Sequence, residues 1–152
     1  MQAWLVPFRM DSTGLILIAF CVWIGARLDG WGPGLLLGAL LVASLLLHEA
    51  GHIVAATALG VPVREFGLSW IGAYVRRAYA SRRRDEILIS AAGPMMNLCV
   101  AIPLLFVPRI GAQLMLGNFA LCLVNLLPLP SSDGLRILRT LRGAQLQAVA
   151  RS

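Results

Sequence analysis

Lysine is absent from this chain of 152 residues, and charged residues of either sign make up only 13% of it. A soluble domain of this length carries about 25% charged and about 45–50% apolar residues. Here 59% of the residues are hydrophobic, with a mean hydropathy of +0.80. So little charge cannot clothe a small water-soluble globule, and the same figures exclude a disordered chain. Three cysteines are too few for a disulfide scaffold. No internal repeat, low-complexity tract or soluble domain is visible. What remains is an integral membrane protein.

All 13 basic residues are arginine, giving a net charge of +6. They fall in gaps between apolar runs rather than on one soluble face, so no nucleic-acid partner is expected. A spanning helix needs about 20 apolar residues, within a range of about 17–25. Four candidates are read: residues 12–26, 33–59, 85–107 (which Pro103 should kink) and 110–127. The first is near the length of a signal-peptide core, but no small-residue cleavage site follows it, so it reads as a retained helix. With the N-terminus in the cytoplasm, four alternating spans place eleven arginines inside and only Arg27 and Arg109 outside. The positive-inside rule is obeyed throughout, and both termini should be cytoplasmic.

Between the second and third spans, Phe66, Leu68, Trp70 and Tyr74 share one parity while Glu65, Gly67 and Ser69 take the other. A period of two predicts a short strand or hairpin at the membrane interface, although plain aromatic anchoring gives the same residues. After the fourth span, Leu135, Leu138, Leu141 and Leu146 alternate with arginines, predicting an amphipathic interfacial helix over 133–150. The expected fold is therefore an all-α polytopic membrane protein. It has about four transmembrane helices, a short interfacial β-hairpin between the second and third, and a single membrane-embedded domain over 1–152.

The two histidines of the chain both lie in the second span, as His48-Glu49-Ala50-Gly51-His52. Positions i and i+4 share a helix face, so both imidazoles can reach one metal ion, and Glu49 stands where it can take a proton from an activated water. The plainer reading is a helix–helix hydrogen bond. Yet each charged residue at the centre of a spanning helix costs about 2.5–3.5 kcal/mol, and three ionisable groups in one turn are hard to explain by packing. Ser44, Gly51 and Ala55 surround that face with small side chains, as an interior site requires.

Catalytic zinc takes three protein ligands and leaves one position open. With no third histidine, a carboxylate or thiolate must serve. Asp11, Asp29, Glu65, Asp85 and Glu86 sit where solvated loop charges are expected, and Cys21, Cys99 and Cys122 lack ligand spacing. That leaves Asp133, at the end of Asn125-Leu-Leu-Pro-Leu-Pro-Ser-Ser-Asp133-Gly134, where two prolines can turn an aspartate back toward the membrane.

These pieces resemble the site-2 proteases, zinc metalloproteases that cut substrates inside the membrane. The segment from His48 to His52 is similar to their zinc motif, residues 125–134 to their second motif, and Ala92-Gly93-Pro94-Met95-Met96-Asn97 to a third signature, all in the family's order. Two positions depart from the pattern: Ser132 stands where an apolar residue is frequent, and Leu135 where a second glycine is common.

The resemblance implies one Zn2+ per chain held by His48, His52 and Asp133, with Glu49 as general base and then general acid. Asn97 would position substrate or stabilise the oxyanion, or else make a polar contact between helices; Asn125 carries the same two readings and ranks below it. The implied function is a zinc-dependent intramembrane endopeptidase acting in regulated intramembrane proteolysis, with its site toward the cytoplasmic side. The implied partners are the lipid bilayer and a single-pass substrate of the anti-sigma-factor or membrane-bound transcription-factor type. The alternative is a non-proteolytic metal-binding or inactive relative. The length leaves room for a bare catalytic core and not for PDZ or CBS modules. Gly34 and Gly38 form a small-xxx-small pair that serves either a homo-oligomer or packing within one chain.

Overall fold

The computed structural model describes residues 6–70, 72–108 and 111–143. In chain order the elements are β1 (Phe8–Met10), α1 (Gly14–Asp29), α2 (Trp31–Ala58), β2 (Val63–Ser69), β3 (Gly72–Arg77), α3 (Arg83–Leu104), α4 (Gly111–Leu126) and α5 (Asp133–Leu141). Each apolar run became one helix: Gly30, at a positive φ of 79°, separates α1 from α2, and Pro128 and Pro130 follow the end of α4.

Of the four expected spans, α2 with 28 residues and α3 with 22 are long and apolar enough to cross a bilayer. Helices α1 and α4 are apolar but have 16 residues each, about 24 Å of helix against about 30 Å of hydrocarbon. The distribution of polarity is inverted relative to a water-soluble domain. Ile16, Phe20, Trp31, Val54, Ile102 and Leu116 all point outward, while Ser44, His48, His52, Ser90, Asn97 and Asn118 are buried. Pro103 stands in the last turn of α3, which ends one residue after it.

Helices α1 and α2 form a hairpin at close range. A Cβ on Gly34 would strike the backbone of Ala26, and one on Gly38 the backbone of Val22. The small-xxx-small pair is thus occupied inside the chain, against α1.

The sheet is larger than the expected hairpin. Strands β2 and β3 pair antiparallel, with Phe66 opposite Val75 and Leu68 opposite Ala73. Strand β1 adds in parallel on the far side, Phe8 opposite Phe66, to give the order β1-β2-β3. A two-stranded hairpin is marginal alone, and the third strand supports it. It also leaves β3 as one of the two edges of the sheet.

At the other end, α5 carries Leu135, Leu138 and Leu141 among Arg136, Arg139 and Arg142, the amphipathic pattern expected. The helix is shorter than expected: it ends at Leu141, and Gly143 takes a positive φ of 75° that turns the chain. The expected stretch over 144–150 lies outside the described residues, as does Arg109.

Candidate active site

His48 and His52 project from α2 into the bundle, both about 5% exposed. Across from them α3 comes unusually close, and the reason is Gly93. A Cβ built there would stand 2.7 Å from His48 Nε2 and in collision with His52 Nε2. Only glycine leaves that space open.

The third side chain arrives from α5. The chain leaves α4 through Pro128 and Pro130 and turns at Ser131, which has a positive φ of 68°. Ser132 then caps α5. Its Oγ accepts from the Leu135 and Leu129 N–H groups, at 3.1 Å each, and donates to the Leu127 carbonyl. The residue that departs from the family pattern therefore supplies the cap. Asp133 opens the helix, and Gly134 follows because any side chain there would meet the Leu126 carbonyl.

Three atoms converge as a result. Asp133 Oδ2 lies 3.1 Å from His48 Nε2 and 3.2 Å from His52 Nε2, and the two Nε2 atoms are 3.2 Å apart. Ligand atoms around a tetrahedral zinc at about 2.0 Å lie about 3.3 Å from one another, so the triangle has the size of one face of a zinc site. The tautomer agrees. His52 Nδ1 donates to the Ile89 carbonyl at 2.7 Å, which leaves its Nε2 lone pair facing the triangle. Lone pairs and a carboxylate brought this close repel unless a cation sits among them.

Glu49 is half-buried, with a carboxylate oxygen within 4.8 Å of the histidine nitrogens. That gap accommodates one water. Beside these groups opens a cleft of about 600 Å³. Residues of β3 from Ala73 to Arg77 form one wall and the turn from Leu129 to Ser132 another; His48, Glu49, His52 and Asp133 lie between.

Asn97 and Asn125 separate here. Asn125 lines the cleft. Asn97 is fully buried on α3, does not line it, and has neither amide atom paired. Of the residues set down as solvated loop charges, Glu65 lies in β2 and pairs with Arg9 and Arg76, and Glu86 is buried. It is 3% exposed and receives both guanidinium nitrogens of Arg77, at 2.8 and 2.9 Å. A charge in a loop-like stretch gave no signal of this, since the partner lies across a strand–helix turn. The three cysteines form no ligand group among the described residues.

Comparison with known proteins agrees with this geometry. Residues 36–113 match peptidase family M50. A Synechocystis sp. protein provisionally named a zinc metalloprotease is 30% identical over 122 residues, covering 73% of this chain and 32% of its own length. A zinc metalloprotease of Methanocaldococcus jannaschii is 32% identical over 117 residues, covering 67% of this chain and 33% of its own length. The chain thus spans about a third of the curated relatives it matches. The solved structure of a site-2 protease from M. jannaschii superposes with a TM-score of 0.76 at 25% identity, over 95% of this chain and 70% of the other. With the family match extending over half its residues, the chain belongs to peptidase family M50, the membrane-embedded site-2 proteases.

Proposed function

We propose that the chain is a catalytically active, multi-pass intramembrane endopeptidase, folded as one domain. It holds one zinc through His48, His52 and Asp133. The observation that carries the reading is the 3.1–3.2 Å triangle with Glu49 beside it. A pure metal-binding site has no use for a general base next to its ligands, which disfavours the non-proteolytic alternative.

When bound, zinc supplies Lewis-acid polarisation of a carbonyl and makes water acidic near neutral pH. The remaining work falls to side chains. Glu49 takes a proton from the water in the gap as its oxygen attacks the scissile carbon, then returns that proton to the departing amide nitrogen. Asn125, on the cleft wall, is better located than Asn97 to donate to the developing oxyanion. Asn97, buried in α3 away from the cleft and with neither amide atom paired, is given no part in the chemistry.

The arginines support the orientation. Arg76, Arg77 and Arg136, all on the side expected to face the cytoplasm, line the cleft together with Asp11. Both termini are then cytoplasmic, and water reaches the site from that side by a short path. The substrate is a single-pass membrane protein of the anti-sigma-factor or transcription-factor class. Its helix must unwind before attack, and β3, the free sheet edge along the cleft, offers the unwound segment a strand to pair with.

Metal stoichiometry tests the site without a known substrate. Detergent-purified protein should hold about one zinc, lost in both His48→Ala and Asp133→Ala. Zinc lost only in the histidine variant would remove Asp133 from the ligand set. No metal in wild type, even when zinc is supplied, would end the protease reading. Trp70→Pro tests the strand. Trp70 sits in the β2–β3 turn with its N–H on Thr13 Oγ1 at 3.2 Å. Cleavage should fall at least tenfold while zinc content holds; undiminished cleavage would argue against strand pairing.

A further inference from the structure

The buried pair between Arg77 and Glu86 lies outside the proposed zinc site, yet it ties one wall of the cleft to the helix behind the histidines. Arg77 is the last residue of β3, the strand that lines the cleft, and its guanidinium grips Glu86 as a two-pronged fork at 2.8 and 2.9 Å. Both side chains are 3% exposed. Glu86 Oε2 also accepts the Ala80 N–H at 2.9 Å, which pins the segment between strand and helix. Arg136 Nε, on the helix that begins with Asp133, approaches Glu86 Oε1 at 4.0 Å. Glu86 itself lies in the first turn of α3. Two turns further along that helix, Gly93 touches the histidine pair.

A buried ion pair is weak evidence for stability, because apolar residues of similar volume often serve as well. What a fork-to-carboxylate pair adds is direction: two parallel hydrogen bonds fix orientation as well as distance. Lysine at the same place would keep the charge and lose the fork. The elements so oriented are the strand edge along which a substrate backbone would run and the helix backing the metal ligands.

Resting on the protease reading above, we propose that Glu86 is a positioning residue. Through Arg77 it locks the edge strand β3 to α3, and so sets where an extended substrate lies relative to the site.

The test uses the full chain in detergent with the double variant Arg77→Met/Glu86→Leu, which removes both charges and leaves no lone buried ion, beside Arg77→Lys. Zinc retention against a chelator, amide hydrogen exchange over residues 72–77, and KM and kcat are measured for each. In the double variant, zinc retention should stay within about twofold of wild type. Exchange in β3 should quicken at least tenfold, and KM should rise at least tenfold with kcat changed less. Arg77→Lys should shift exchange and KM in the same direction by a smaller factor, and it decides the matter if the double variant does not fold. Full rescue by lysine, or wild-type exchange in β3 with unchanged KM, would overturn the proposal. A wild-type protein that cleaves no substrate would count against the protease reading alone, since the exchange measurement still judges the role of Glu86.

Discussion

Gly93→Ala should strip the protein of zinc. The added methyl group has nowhere to go, because its ideal position lies 2.7 Å from His48 Nε2 and in collision with His52 Nε2. Those are the atoms proposed as ligands, so the Cβ would compete for the space a metal needs. Loss of an outer partner of a metal ligand typically lowers affinity by about 10–100-fold. A group intruding among the ligands themselves should exceed that, so at least a hundredfold weaker zinc retention is expected in a competition with a chelator. Overpacking a tight interior adds a stability penalty of about 1–3 kcal/mol, which a thermal melt would register separately. Gly117→Ala is the matched control, since its Cβ would meet only the end of the Leu41 side chain at 3.1 Å. Wild-type zinc retention in Gly93→Ala would mean the triangle of donors is not where metal binds.

Glu49→Gln should separate binding from catalysis. The substitution preserves shape and leaves the three proposed ligands intact, so zinc content should match wild type. It removes the group that accepts the water's proton, and loss of a positioned general base lowers rates by about 10²–10⁴-fold. Single-turnover cleavage of a membrane-protein substrate in proteoliposomes is the appropriate measurement. A zinc-loaded Glu49→Gln that cleaves within tenfold of wild type would remove Glu49 from the chemistry. A variant that instead loses zinc would make Glu49 a ligand.

Some of this site was legible before folding was considered, because its signals are local. His48 and His52 declare a shared helix face by their spacing, and the prolines at 128 and 130 announce a forced turn ahead of Asp133. Other parts depend on contacts that no local pattern encodes. Strand β1 is three residues long, too short for a period of two to register, and exists through its pairing with β2 more than fifty residues later. Glu86 looked like one more charge in an arginine-rich turn; its burial is decided by the Arg77 fork. The sequence placed Asn97 ahead of Asn125, yet it is Asn125 that lines the cleft, because which of them meets it depends on how α3 and α4 rotate against the sheet. Ser132 was the opposite case. Read as a departure from a pattern, it fits the general preference for serine at a helix start.

The distance along the chain between the convergent side chains bears on when the protein becomes dangerous to its surroundings. His48 and Asp133 meet across 85 residues, so a chain emerging from the ribosome carries two imidazoles long before it carries the carboxylate that completes the set. Closing so long a loop is unfavourable until the intervening helices have packed and brought its ends together. On the proposed reading, a partly synthesised or partly inserted chain cannot hold its metal firmly. Order of synthesis itself then withholds the proposed cutting activity until α5 docks.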